Sequence, residues 1–410
     1  MSKALILSYY FPPFNGPGAQ HPSWFYRYLP EHGVSTHAFA SALYFNEQYG
    51  APPVSDARVQ RLPAGAQAQR WATWLYRKEM QVQLRVGYWE PGFAWARLYG
   101  IPAVRRLLDR EPCDAMISVS PPISSHWAAL RIKRLYPKLL WIADFQDPFL
   151  GNPFHFRSKP AGRRVKGFEQ ALFGEADILS ANTDTVADMW RQHYPQYAKK
   201  ITVTWGGYDP EELIPRRNPT SGAPVMAYIG SIYGGRTPVA FFKALEWMSA
   251  SGRLKSSDLM VDFLGSLKLE GVEALAGDLE SKGLVRLRNM TVARQNALEE
   301  AAQAHYSLLI DLTPGNKQLQ VPAKLFDQVR LGRPILAITP AGSPSERILA
   351  ASGIAYQSVA PDGAPEAYEA AILALLRLGP EVREPSDWFR NSFDARNLAG
   401  LMAARIKGRQ

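Results

Sequence analysis

Cysteine is nearly absent from this sequence. Cys113 is the single one in 410 residues, which excludes a disulfide framework and a cysteine metal cluster. That usage suits a reducing cytoplasm. No run of about 18 apolar residues occurs, so no segment is expected to span a membrane. The opening stretch, MSKALILSYYFPP, is a short apolar run with little positive charge before it. It reads as a first buried strand and not as a signal peptide. The dinucleotide fingerprint GxGxxG is missing. No RNA- or DNA-binding motif is found either, so nucleic acid is not expected as a partner.

What is present describes a globular protein. Hydrophobic residues make up 46% and charged residues 20%, enough for a sizeable core, and the length calls for two or three domains. Net charge is +10, unevenly spread. Residues 1–210 hold 24 Lys and Arg against 16 Asp and Glu, a surplus of 8; residues 211–410 hold 23 against 21, a surplus of 2. A basic first half can face an anionic bilayer or a phosphorylated substrate. Trp71, Trp74, Trp89 and Trp95 place four of eleven tryptophans in one short stretch, among Arg70, Arg77, Lys78, Arg85 and Arg97. Aromatics among cations suit an element lying at a lipid headgroup layer. They suit equally a set of rings packed under a long loop.

Along the chain, strands alternate with helical patterns. Lys3–Ser8 reads as a strand. The loop Tyr9–Gly18, with three prolines and two glycines, leads into a helix near Ala19–His32. Strand, glycine loop and helix start can cradle a phosphate. Residues 41–98 read as less regular. Alternation resumes with a helix at Tyr99–Arg110 and runs to a strand at Ile201–Trp205. The stretch 206–224 is rich in Pro and Gly and reads as a linker. Strands are then expected near residues 225–229, 259–264, 285–287, 307–311 and 335–338, with helices between them and one terminal helical pattern over 385–406. This is an α/β chain of two doubly wound, Rossmann-like halves. We place the domains at 1–208, a linker at 209–223, a second domain at 224–384, and a segment at 385–410 that crosses back to the first. In such sheets ligands sit at the carboxyl ends of strands, and the cleft between two facing domains is the expected site.

One stretch, LQVPAKLFDQVRLGRPILAI over 319–338, concentrates the chemistry. Pro322 and Gly332 are start and stop signals for a short helix. Lys324 and Asp327 are three residues apart, so they share a face near its start. A cation, a carboxylate and free amides there can hold a phosphate and a sugar diol. The same spacing also fits a solvated ion pair between the two.

Several segments, in order, resemble the retaining GT-B glycosyltransferases of family four. They are SYYFPPFNGPGAQHPSWFYRYLPEHGV, ISVSPPISSHWAALRIKR, LLWIADFQDP, ILSANTDTVADMW, MAYIGSIYGGRTPVAFFKAL and VPAKLFDQVRLGRPILAI. The resemblance implies the GT-B fold, with two facing Rossmann-like domains. It implies a UDP- or GDP-linked sugar donor bound mainly to the second domain, an acceptor on the first, retention of configuration, and neither metal nor cofactor. It puts Arg236 and Lys324 on the donor diphosphate, with Gly16 and Gly18 approaching it from the N-terminal loop. Asp327 falls on the ribose and Val292 beside the nucleobase. Three departures stand out. The family's first paired Glu would fall at Leu319, its second is the shorter Asp327, and its DFRDPW motif reads with Gln146 and Phe149.

Transfer from such a donor passes through an oxocarbenium-like state while the leaving diphosphate gains charge. Arg236 and Lys324 are suited to meeting that charge. Asp144 and Asp147 lie at a strand's carboxyl end and His126 early in a helix, so each is a candidate for acting on the acceptor. Asp before Pro also caps turns, and a lone His is often structural. The expected activity is a cytoplasmic hexosyltransferase of cell-surface or exopolysaccharide assembly, lipopolysaccharide included. Its acceptor would be a glycan or a lipid-diphosphate-linked one, reached peripherally at the inner membrane face. The missing carboxylate at Leu319 keeps a second reading open, a partner subunit that binds a nucleotide sugar without turnover.

Overall fold

A computed structural model describes the chain apart from residues 15, 43–55, 87–90, 150–158, 220, 233–235, 312–318 and 409–410. It divides into two compact units, Met1–Asp209 with Ala395–Gln410, and Pro210–Asp394.

The first unit is a seven-stranded parallel sheet. It opens with β1 (Ser2–Ser8), the helix α1 (Gln20–Tyr28), β2 (Val34–Ser41) and β3 (Val59–Leu62). Next come α2 (Ala66–Val86), α3 (Phe93–Trp95) and α4 (Ile101–Arg110). The unit continues through β4 (Ala115–Ser120), α5 (Ser124–Leu135), β5 (Leu140–Phe145), α6 (Lys159–Glu175), β6 (Ile178–Ala181), α7 (Asp184–His193) and β7 (Ile201–Val203). The strand order is β3-β2-β1-β4-β5-β6-β7. β4 and β5 are buried at every position, as strands covered by helices on both faces must be. The order reverses between β1 and β4, which opens a crevice at their carboxyl ends.

Two expectations are revised here. The stretch 41–98 is more regular than its sequence suggests, since it contains β3 and the 21-residue α2. Large apolar residues stand on the outside of α2 as well as the inside, which blurs its periodicity. The helix expected at Tyr99–Arg110 begins earlier. α3 passes through a π-helical turn, Ala96–Gly100, into α4. Pro102 opens α4 and has no N–H to offer the preceding turn.

The second unit is a six-stranded parallel sheet. Its elements are β8 (Val225–Ile229), α8 (Val239–Ala250), β9 (Met260–Gly265), α9 (Glu273–Ser281), β10 (Val285–Asn289), α10 (Arg294–Ala302) and β11 (Tyr306–Ile310). They continue with α11 (Lys324–Leu331), β12 (Ile335–Ile338), α12 (Pro344–Ala351), β13 (Tyr356–Val359), α13 (Pro365–Leu378) and α14 (Asp387–Phe393). The order β10-β9-β8-β11-β12-β13 reverses between β8 and β11. β13, sequence YQSV, is an edge strand that is only partly buried, so it lacks the apolar run that marks its neighbours. The terminal segment is two helices. α14 stays with the second unit, whereas α15 (Ala395–Lys407) returns to the first. There Leu398, Met402 and Ile406 pack with Trp24, Phe25 and Tyr28 of α1 and with β1 and β2.

Candidate functional site

α11 forms because Pro322 and Ala323 start a turn from which Leu325, Phe326 and Val329 all face the core. Gly332 ends it in the left-handed region at φ 76°. β11 runs into Asp311, and β8 into Gly230. The start of α11 and the ends of β8 and β11 therefore converge on the second unit's switch point.

Lys324 occupies this point. Its Nζ lies 3.8 Å from the centre of the Tyr228 ring, a cation–π contact. The ammonium is buried and has no hydrogen-bonding partner among the described residues. Burial first, and then the nearby Arg236 guanidinium, hold its pKa well below the usual lysine value, while Asp311 opposes them. Asp311 is buried and accepts a 2.6 Å hydrogen bond from Thr339 Oγ1. Burial pushes its pKa up to about 6, against the pull of Thr339, Ser345, Arg236 and Lys324. Arg236 is half-buried just before α8, and the Gly234-Gly235 pair ahead of it falls outside the described residues. Gly230 makes room for this arrangement. Its φ is 127°, and a Cβ there would stand 2.9 Å from Lys324 Nζ. Two cations beside one carboxylate form an electropositive cluster suited to an anion that brings its own acceptors.

Asp327 is buried on the same helix but does not pair with Lys324, contrary to the ion pair their spacing allows. The long lysine runs back over Tyr228 toward the helix start, whereas the short aspartate meets Arg294. Arg294 donates to both its oxygens, Nη1 to Oδ2 at 2.9 Å and Nη2 to Oδ1 at 2.7 Å. The same guanidinium donates to Glu212 from Nε at 2.7 Å and from Nη2 at 2.8 Å. Burial lowers the Arg294 pKa, but Glu212 and Asp327 outweigh it and the net shift is upward. Burial raises the Asp327 pKa against Arg294. A carboxylate offers about four lone-pair positions, so Asp327 keeps one per oxygen for further donors. Val292 is half-buried in the loop that leads to Arg294, and Leu319 is half-buried ahead of α11.

The remaining candidates belong to the first unit. His126 is fully buried on α5, its Nδ1 2.7 Å from Ser118 Oγ and its ring 4.2 Å from that of Phe145. Burial pushes its pKa down to about 3, so the imidazole is neutral. Asp144 is also fully buried near the end of β5, with Oδ2 2.8 Å from His21 Nδ1 and Oδ1 without a hydrogen-bonding partner among the described residues. Asp147 is half-buried in the turn that follows. Gly16 lies just ahead of the short helical turn Pro17–Ala19 and Gly18 within it. The Gly18 carbonyl accepts from Gln146 Nε2 at 3.1 Å, so the residue that departs from DFRDPW ties the first loop to the end of β5. Phe149, the other departure, is buried against Phe168.

Tyr228, Asp311, Arg294 and His21 are partners that sequence reasoning did not find. Asp311 carried a signal as a carboxylate ending an apolar strand; the others look like ordinary core or loop residues.

Residues 25–212 match the model of Glycosyltransferase Family 4. That stretch, most of the first unit, is similar to a family-four glycosyltransferase domain. Among solved structures, the apo lipopolysaccharide outer core galactosyltransferase WaaB aligns over 100% of both chains with a TM-score of 0.60 and 12% identity. A sucrose-phosphate synthase from Thermosynechococcus elongatus covers 99% of this chain and 94% of its own, with a TM-score of 0.58 and 12% identity. Anabaena HepE in complex with UDP-glucose covers 99% and 95%, with a TM-score of 0.54 and 12% identity. The fold is GT-B, with two Rossmann-like units. No curated protein matches the chain. Among the described residues no helix is long and apolar enough to cross a membrane.

Proposed function

We propose that this chain is a metal-independent, retaining hexosyltransferase that takes its sugar from a UDP- or GDP-linked donor. The observation that carries the reading is Lys324, a buried ammonium without a hydrogen-bonding partner among the described residues, set beside a second cation at the switch point of the second sheet. A nucleoside diphosphate brings further negative charge and acceptor oxygens to two cations that share the single carboxylate Asp311. As the glycosidic bond breaks, charge collects on the diphosphate, and preorganised cations stabilise it without reorganising. Asp327, held flat by Arg294, has the free lone pairs to accept from the ribose diol, with Val292 toward the base. HepE, of similar fold, holds UDP-glucose, which supports a nucleotide sugar over other anions.

The acceptor belongs at the carboxyl ends of β4 and β5, with Asp147 the candidate to meet its hydroxyl. Asp144 is positioned to act through His21, and buried neutral His126 to donate or accept one hydrogen bond. We place the reaction in cell-surface or exopolysaccharide assembly, on a glycan or lipid-diphosphate-linked acceptor, at the cytoplasmic face of the membrane. WaaB, a lipopolysaccharide core transferase of similar fold, supports that placement.

The test is a thermal-shift screen of the purified protein against UDP-, GDP- and ADP-sugars, with hydrolysis assayed with and without chelator. One donor class is expected to stabilise the protein, and Lys324→Ala or Arg236→Ala to abolish the response. Unchanged donor affinity in both variants refutes this site. Leu319, an apolar residue where a sugar-reading carboxylate would stand, favours a second reading as a binding subunit. Binding without turnover across the donor panel would select it.

A further inference from the structure

The exposed face of α2 is not used by the donor site. Trp71 is 53% exposed and Trp74 48%, and their rings stack with centroids 4.9 Å apart at 14°. Val82, one turn beyond Lys78, is also exposed. Arg70, Arg77, Lys78 and Gln81 share this face. At 100° per residue all these positions fall within a stripe about 140° wide. Lys78 Nζ stands 5.8 Å from the Trp74 ring centre. Glu79 is the one acidic residue of α2, and it turns away. Its carboxylate accepts from the backbone amides of Gly92 and Ala94, both at 2.7 Å, at the start of α3. The outer stripe thus combines two indoles and three cations with no carboxylate of its own. By contrast Trp95, from the same tryptophan-rich stretch, is buried and donates to the Leu62 carbonyl.

We propose that this face docks the protein onto an anionic lipid bilayer, with α2 lying in the headgroup plane. Indoles are amphipathic and favour that depth, and each nearby cation is attracted by the negative surface potential. A protein partner would be expected to match three cations with acids and to cover the indoles; a bilayer does both without a shaped complement. The proposal deepens the lipid-linked acceptor reading and rests on it only for purpose, because docking is measured without turnover.

Co-sedimentation of the full chain with vesicles of phosphatidylglycerol in phosphatidylcholine, against phosphatidylcholine alone, tests it. Binding is expected to require the anionic lipid and to weaken steeply between low and high salt. Each cation replaced by Gln should weaken it about five-fold, so Arg70→Gln, Arg77→Gln and Lys78→Gln together by about a hundred-fold. Trp71→Ala with Trp74→Ala should weaken it at any salt. All these positions are exposed, so the variants should keep the wild-type melting temperature and donor response. Equal binding to neutral vesicles, or undiminished binding by either variant set, overturns the proposal. So does equally tight, variant-sensitive binding to duplex RNA, which would assign the face to nucleic acid. Failure of the donor screen with vesicle binding intact would strike the transferase reading alone.

Discussion

Lys324 is a charge kept where charge is costly. Burial and Arg236 favour its neutral form. A bound diphosphate favours the protonated form. Donor affinity should therefore be highest below the depressed lysine pKa and fall as pH rises through it, at a pH well under that of an ordinary lysine. Calorimetric titration across pH should show this fall, with proton uptake on binding in the same window. Lys324→Arg, whose guanidinium stays charged, should flatten the profile; an unchanged slope would show that another group sets it. Asp327 teaches the complementary lesson. The sequence placed it near Lys324, but a short side chain one turn in reaches a different neighbour, and Arg294 was there to meet it. Neither partner is visible in local spacing.

At the scale of elements, the site is made by where strands stop. β8 and β11 end beside each other only because the sheet order reverses between them, and the start of α11 completes the point. Gly230 is the element-level requirement. Its positive φ disfavours any other residue, and a Cβ there would stand 2.9 Å from Lys324 Nζ and push the lysine end aside. Gly230→Ala should strain the backbone by about 1–3 kcal/mol and displace the ammonium. Chemical denaturation should register the first effect and donor titration the second; a variant with wild-type values in both would show that Lys324 has room to move. Helix α11 was legible because its proline, glycine and apolar positions agree. Helix α2 was not, because Trp71 and Trp74 stand exposed where a water-facing helix has polar groups.

For the whole molecule, the C-terminal helix matters most to the first unit. α15 buries Leu398, Met402 and Ile406 in the core that holds β1, β2 and α1. Its Arg405 donates to the Val203 carbonyl at 2.7 Å. Leu398→Ala should cost about 2–5 kcal/mol and lower the calorimetric transition by several degrees, although the residue lies nearly two hundred positions after the rest of its unit. An unchanged transition would mean that the unit is stable without this helix. The sequence by itself determined the alternation of strands and helices, the two Rossmann-like halves, the basic first half and the short helix with its lysine and aspartate. Those follow from periodicity, punctuation and composition, which act between near neighbours. Only the tertiary structure decided that Lys324 lies over Tyr228 beside Arg236 and Asp311, that Asp327 belongs to Arg294 and Glu212, and that Asp144 is sealed under His21. Those pairs join residues from separate elements, and sheet order, not sequence distance, brings such groups within a few ångströms.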